Sequence, residues 1–318
     1  MKSAVLNQYG ESPKYTEVID PIPNANEVLV KMVASSIKQI DKSKAAGKHY
    51  TKYPSLPAVV GLDGVASLED GSAVYITGIS GTMAEKALVI ANSWVLVPEG
   101  LALPLAAALP NALIGSDAAM LYRGEFKQGD AIIINGATGA TGRIAIQMAK
   151  NRGAKCVIAL GRFASGLSEL SDLGADILID TAQPEEIFLS QLTETLKLHQ
   201  PKVVLDYLWG RPAELILKVL HDTTSAKVKF VTVGEMAGAT INLPSALLRS
   251  RKIELLGSGI GSISFTEVRE YFAVELPQAY EWAAAGKVIM PLEIVSLADI
   301  ESVWQREEKK GKRNVVIL

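Results

Sequence analysis

Residues Ala131-Ile132-Ile133-Ile134-Asn135-Gly136-Ala137-Thr138-Gly139-Ala140-Thr141-Gly142 decide how this chain is read. An apolar run enters a glycine-rich turn, and the turn opens into an amphipathic stretch, Arg143 to Lys150. Strand, turn and helix in that order are what a dinucleotide fold needs around a pyrophosphate. The strand carries the turn to the end of a sheet. Gly139 lets the backbone approach the phosphates, Gly142 lets the helix pack closely on the strand, and the helix N-terminus offers free N–H groups to negative charge. Thr138, Ala140 and Thr141 complete the turn and face the same pyrophosphate. A glycine pattern alone is weak evidence. Here a strand precedes it, a helix follows, and a second strand, Lys155 to Leu160, comes at the expected distance.

The end of that second strand selects the dinucleotide. An NAD site usually places Asp or Glu there to hold the ribose 2′-OH. This chain reads Val157-Ile158-Ala159-Leu160-Gly161-Arg162, with no acid. An acid would repel a 2′-phosphate, whereas a guanidinium pairs with it bidentately. Gly161 and Arg162 are therefore read as cofactor residues, and the cofactor as NADP(H). The competing reading of Arg162 is a solvated surface charge.

Composition narrows the class. The 318 residues are enough for two domains, and 48% are hydrophobic, so a substantial core is available. The net charge of −2 comes with no basic stripe, which argues against nucleic acid as a main partner. The single cysteine, Cys156, excludes an intramolecular disulfide and fits a reducing compartment. The N-terminal residues soon become polar, and the Ala- and Leu-rich segment Leu101 to Leu113 is interrupted by Pro104 and Pro110. The expectation is a cytoplasmic protein without a membrane partner.

The first hundred residues read as short strands: Ser3 to Leu6, Glu27 to Ala34, Ala73 to Thr77, Ala84 to Ile90 and Trp94 to Val97. Glycine and proline separate them, as in a small β-rich domain. From about Leu105 helical segments alternate with apolar strands at Ala131 to Asn135, Lys155 to Leu160, Ile177 to Asp180, Val203 to Tyr207, Val228 to Val233 and Ile253 to Gly257. Helices are read at Arg143 to Arg152, Gly166 to Leu173, Pro184 to Leu198, Pro212 to His221 and Pro244 to Arg249. That alternation argues a doubly wound parallel sheet. Loops after the strands line its crevice, so Gly234 and the Gly257-Ser258-Gly259 segment are nicotinamide candidates, although glycine also serves plain turns. Thr266 to Gly286 then reads as helical, and Ile294 to Leu297 and Asn314 to Leu318 as strands.

Together these pieces resemble the medium-chain dehydrogenase/reductase superfamily, in its zinc-independent quinone oxidoreductase-like branch. The residues that carry the resemblance are Glu27-Val28-Leu29-Val30-Lys31, Tyr50 through Gly64, Ala84-Glu85, Gly136 to Lys150, Leu173-Gly174-Ala175-Asp176, Val231-Thr232-Val233-Gly234 and Gly311 to Val316. The resemblance implies an α/β protein with a GroES-like β-rich catalytic domain and a Rossmann domain. The expected division is 1–112 with 260–318 for the catalytic domain and 113–259 for the NADP-binding domain. It also implies that Tyr50 aligns with a tyrosine lining the active site, that Arg313 stands where relatives can carry a basic residue against the phosphates, and that two copies pair edge strands into a homodimer. Two departures stand out. Lys38 occupies a place where the branch commonly has Asn, and a Thr often found before the cofactor domain is replaced near Gly115-Ser116.

Zinc members of the superfamily hold a catalytic metal through Cys, His and Cys or Asp. By that resemblance the cysteine falls near Ile37 or Lys38 and the histidine near Leu62, beside Asp63; neither residue is present. His49, His199 and His221 are scattered, and one cysteine cannot build a four-cysteine structural lobe. No metal is expected. Without a Lewis acid to polarise an oxygen, hydride delivery to an already polarised acceptor is favoured over alcohol dehydrogenation. Catalytic candidates are Tyr50, Lys38 and Asp41. The Tyr50 phenol could protonate an enone or quinone oxygen, or simply wall the pocket. Lys38 and Asp41 could pair and shape the pocket, or form an exposed ion pair of little worth. The expected function is NADPH-dependent reduction of a quinone or α,β-unsaturated carbonyl. A 2-enoyl thioester reductase and a non-enzymatic NADPH-binding protein are the alternatives.

Overall fold

The structure, a computed structural model, describes residues 1–162, 167–306 and 311–318. Gly166, read as the start of a helix, and residues 307–310 of the charged run Arg306 to Arg313 lie outside the described residues. The chain forms two compact units: Met1–Asn111 with Phe272–Leu318, and Ala112–Tyr271. The second boundary differs from that read in the sequence at 259/260. Residues 260–271 go with the central unit, where Tyr271 is buried and donates its hydroxyl to Asp117 at 3.2 Å. The boundary falls inside one continuous helical pattern, which divides into Phe265–Glu270, a π-helical stretch Tyr271–Glu275 and Leu276–Ala284.

The central unit holds six parallel strands. Their order across the sheet is Ile177–Asp180, Cys156–Gly161, Ala131–Asn135, Pro201–Asp206, Val228–Thr232 and Ile253–Gly257. In chain order this is third, second, first, fourth, fifth, sixth, the doubly wound arrangement. The Ala131–Asn135 and Cys156–Gly161 strands are buried throughout, which is why they read as unbroken apolar runs instead of alternating ones. Ile133, Ile158, Leu160, Val204 and Phe230 from the sheet pack with Phe188, Leu192 and Leu217 from the helices. Reversal of strand order places the switch point between Ala131–Asn135 and Pro201–Asp206.

The other unit is β-rich. A seven-stranded sheet runs Leu292–Ser296, Arg313–Ile317, Glu27–Ser36, Asp63–Ser67, Ala73–Thr77, Trp94–Leu96, with Lys86–Ile90 also paired to Glu27–Ser36. A smaller sheet joins Lys14–Glu17, Lys2–Leu6 and Ala58–Val59. The two C-terminal strands thus complete a sheet begun by the first hundred residues. Val30, Met32, Val74, Ile76 and Val89 form the core of the large sheet. A short helix, Gln39–Ala45, follows the Glu27–Ser36 strand. Among the described residues no helix is long and apolar enough to cross a membrane.

Candidate functional site

In the central unit the cofactor candidates converge on one edge. Asn135, Leu160, Asp206, Thr232 and Gly257 lie in register at the carboxyl ends of adjacent strands. The turns that follow carry Gly136 to Gly142, Gly161-Arg162, Gly234 and Gly257-Ser258. An open α/β sheet binds ligands at this edge, at the switch point.

The glycine turn is built for close packing. Gly136 has φ +91°, a left-handed conformation that favours glycine. Its N–H and that of Ala137 donate to Leu160 O, at 3.0 and 2.9 Å, which ties the turn to the neighbouring strand. A Cβ on Gly142 would collide with Gly136 O and lie 2.8 Å from Ala137 Cα. Glycine at 142 is thus what lets the helix Ala140–Asn151 start against the turn. Gly139 is the N-cap of that helix, exposed and with no side chain to satisfy the first-turn N–H groups. A Cβ there would meet only Gly136 O, at 3.5 Å, so packing does not demand glycine at 139. Thr138, Ala140 and Thr141 flank it, all half-buried. An anion fits this cradle: backbone donors at a helix N-terminus that, among the described residues, no side chain caps.

Arg162 follows the buried Gly161 directly and is exposed. Gly234 is packed against the switch point, where its Cβ would lie 2.8 Å from Tyr207 O. Gly257 is exposed and a Cβ on it would meet nothing within 4 Å, so its glycine serves no packing need. Ser258 N donates to Thr232 O at 2.8 Å, carrying the strand pairing into the loop.

Sequence reasoning missed the residues at the switch point itself. Asp206 and Asn135 are fully buried, and Asn135 Nδ2 donates to Asp206 Oδ1 at 2.7 Å. Burial pushes the Asp206 carboxyl up to about 6, against hydrogen bonds from Asn135, Leu208 and Trp209 that pull it down. The one available signal was a single carboxylate closing the apolar run Val203-Val204-Leu205.

In the β-rich unit Lys38, Asp41 and Asp63 form a buried charge cluster. Lys38 Nζ is 2.6 Å from Asp63 Oδ1 and 3.4 Å from Asp41 Oδ2, and the Lys38 and Asp41 side chains are wholly inaccessible. Asp41 also caps the helix Gln39–Ala45, accepting from Lys38 N at 3.0 Å. Burial would lower the Lys38 ammonium, but the two carboxylates hold it above its ordinary range. Burial raises the Asp41 carboxyl despite the pull of Lys38. The exposed ion pair entertained for Lys38 and Asp41 is not what forms. Nor do the pair face a substrate, because neither has surface to offer one.

Arg313 also departs from expectation. It is buried, with Nη1 donating to Ile37 O at 3.2 Å, and has no exposed guanidinium to present to a phosphate. It opens the strand Arg313–Ile317, whose first four residues are all buried. Tyr50 is 74% exposed, and its ring lies 4.0 Å, centroid to centroid, from that of His49.

The positions where the superfamily's zinc ligands would fall are brought together through Lys38 and Asp63, but with an ammonium between the carboxylates. That donor set does not fit a metal cation, which the ammonium and nearby guanidinium would repel. Among the described residues no group of three or more His, Cys, Asp or Glu could hold a metal.

No family model matches the chain. It is 29% identical over 347 aligned positions, 96% of each chain, to the "Probable NADPH-dependent quinone reductase tdiC" of Emericella nidulans. It is 28% identical over 202 positions, 57% of this chain and 52% of the relative, to the chloroplastic NADPH-dependent alkenal/one oxidoreductase of Arabidopsis thaliana. In sequence the chain is thus similar to NADPH-dependent quinone and alkenal/one reductases. Among solved structures the fold of this chain is shared by the quinone oxidoreductase from Thermus thermophilus, solved also in complex with NADPH. The TM-score is 0.82 at 23% identity, with all of both chains covered.

Proposed function

We propose that the chain is an NADPH-dependent oxidoreductase that reduces a quinone or an α,β-unsaturated carbonyl without zinc. The observation that carries this is the Gly142-locked turn at the switch point, set beside Gly161-Arg162 where an acid would select NAD. Thr138 to Thr141 would hold the pyrophosphate through backbone N–H groups, and Arg162 the 2′-phosphate. Gly234, Gly257 and Ser258 line the same carboxyl edge, on the nicotinamide side. When bound, the cofactor supplies hydride; the protein's part is to bind, orient and manage the proton. Tyr50 is the candidate to hydrogen-bond the acceptor oxygen or protonate the product. Lys38, Asp41 and Asp63 shape the β-rich unit, and their fixed ammonium supports zinc independence. The relatives' names, which give quinones and alkenals or enones as acceptors, support the substrate class.

The strand Ile253–Gly257 ends the central sheet and is mostly half-buried, which supports edge-to-edge pairing in a homodimer. A single buried cysteine is in keeping with a cytoplasmic setting.

The test is NADPH consumption against a panel of quinones, enones and 2-enoyl thioesters, with and without a chelator. Turnover of quinones or enones that survives chelation is the expected result. Thioester turnover alone would favour the acyl reductase reading, and cofactor binding without turnover the non-enzymatic one.

A further inference from the structure

The turn Tyr207–Gly210 is wedged between two glycine loops of the crevice. On one side a Cβ on Gly136 would lie 3.2 Å from Tyr207 Cβ and 3.3 Å from Leu208 Cδ2. On the other, Gly234 abuts Tyr207 O, Gly210 faces Ala237 O, and Ala237 N donates to Leu208 O at 2.7 Å. Any shift of this turn therefore moves both loops. The turn is strained: Trp209 has φ +53° and ψ −156°, a region otherwise kept for glycine. Its indole is anchored edge-on to Phe230, with ring centroids 6.3 Å apart.

Asp206 holds the strained residue in place. Its carboxylate accepts from Leu208 N at 3.1 Å and from Trp209 N at 3.2 and 3.1 Å, one distance to each oxygen, besides Asn135 Nδ2. Three donors converge on it. An ionised carboxylate can accept them all, whereas a protonated one adds a donor to the set and loses a bond. Asn135 Oδ1 is left buried without a partner.

We infer that Asp206 is a positioning residue for dinucleotide binding. Ionised, it locks the Tyr207–Gly210 turn against which the Gly136–Gly139 and Gly234–Gly238 loops are set; protonated, it releases them. This rests on the dinucleotide reading of the crevice. The groups facing the carboxyl are Asn135 on one neighbouring strand, Thr232 in register on the other, and Tyr207. The Tyr207 phenol donates to Gly115 O at 2.9 Å and is pushed far above its usual range by burial, so it stays neutral. Among the described residues, burial and the hydrogen bonds from Asn135, Leu208 and Trp209, with no charged side chain, set the Asp206 carboxyl at about 6.

The experiment measures dissociation constants for NADPH and NADH by fluorescence titration from pH 5 to 8. NADH has no 2′-phosphate, whose own second ionisation lies near pH 6, so its profile reports the protein. NADH affinity of the parent should fall about tenfold between pH 7.5 and pH 5, the loss of about one hydrogen bond to a charged group. Asp206→Asn should bind about tenfold more weakly than the parent at pH 7.5 and show a flat profile. Asn135→Ala removes a donor to the carboxylate and should move the midpoint to higher pH, which a merely structural part would not do. A flat parent profile with NADH, or parental affinity in Asp206→Asn, overturns the inference and leaves the dinucleotide reading standing. Failure of the parent to bind either nucleotide at any pH overturns both. The parent profile needs no variant to fold.

Discussion

Replacing Lys38 with Met removes the cation from a closed set of buried charges. At an effective dielectric constant of about 20, unit charges 2.6 Å apart attract by about 6 kcal/mol, and at 3.4 Å by about 5 kcal/mol. Dehydrating the ammonium offsets most of that gain. What survives is the penalty for stranding the carboxylates, about 3–5 kcal/mol when one partner of a buried pair is removed. Against a total stability of about 5–15 kcal/mol this is a large fraction. The loss should depend on pH, and its sign follows from the carboxyls. Burial already raises Asp41, and without Lys38 it rises further above the unfolded value of about 3.9. The folded variant then binds more protons than the unfolded chain above that value. Its stability is retained at low pH and lost as pH rises through the folded pKa. Urea denaturation of parent and Lys38→Met at pH 5 and pH 8 should show the larger deficit at pH 8. Lys38→Met combined with Asp63→Asn should recover part of it. Equal urea midpoints for parent and variant, or a deficit independent of pH, would refute the reasoning.

Arg162→Ala should weaken NADPH by about 1.5–3 kcal/mol and leave NADH nearly unchanged, as read by calorimetry; equal affinity of the parent for both nucleotides would remove the basis for NADPH selection. Gly142→Ala forces a methyl into the backbone of Gly136 and Ala137, so it should cost about 1–3 kcal/mol of stability and abolish tight nucleotide binding. Tyr50→Phe should lower kcat about 10²-fold or more on an enone and less on a quinone, whose oxygens can take protons from water; a change in KM alone would mark Tyr50 as a pocket wall. Light scattering at micromolar concentration should report twice the chain mass, and a monomer would count against pairing through Ile253–Gly257.

What could be read in advance follows from how each element is stabilised. The strand Ala131–Asn135 and its turn were legible because burial on both faces leaves an unbroken apolar run and packing demands Gly142. The other inner strands of the parallel sheet were legible through the same burial, whereas the edge strands Ile177–Asp180 and Ile253–Gly257, mostly half-buried, were found from their short apolar runs. The strand Lys14–Glu17 was not, because it is exposed along its length and carries Lys-Tyr-Thr-Glu, with no apolar face to betray it. The strand Asp63–Ser67 escaped notice because its buried residues are small and include glycine and aspartate. At the site, the glycine turn is local and visible. The Lys38–Asp63 bond joins residues 25 positions apart. The burial of Asp206 depends on strands that lie next to it only after folding. Arg313 was misjudged because a basic residue beside a charged run gives no sign that its own strand is central in a sheet.

The central place of Arg313–Ile317 bears on synthesis. It sits between Leu292–Ser296 and Glu27–Ser36, with Val316 in register with Ser35. Domains generally fold as they emerge, the N-terminal one first. Here the N-terminal residues cannot close their sheet until more than two hundred further residues have been made, whereas all of Ala112–Tyr271 is available well before then. The nested unit is therefore the first that can fold to completion on the ribosome. Until the last strand arrives, the Glu27–Ser36 edge is an open template for mispairing. A stalled chain ending before Arg313 should accordingly show a protease-resistant central unit and a β-rich remainder that is digested.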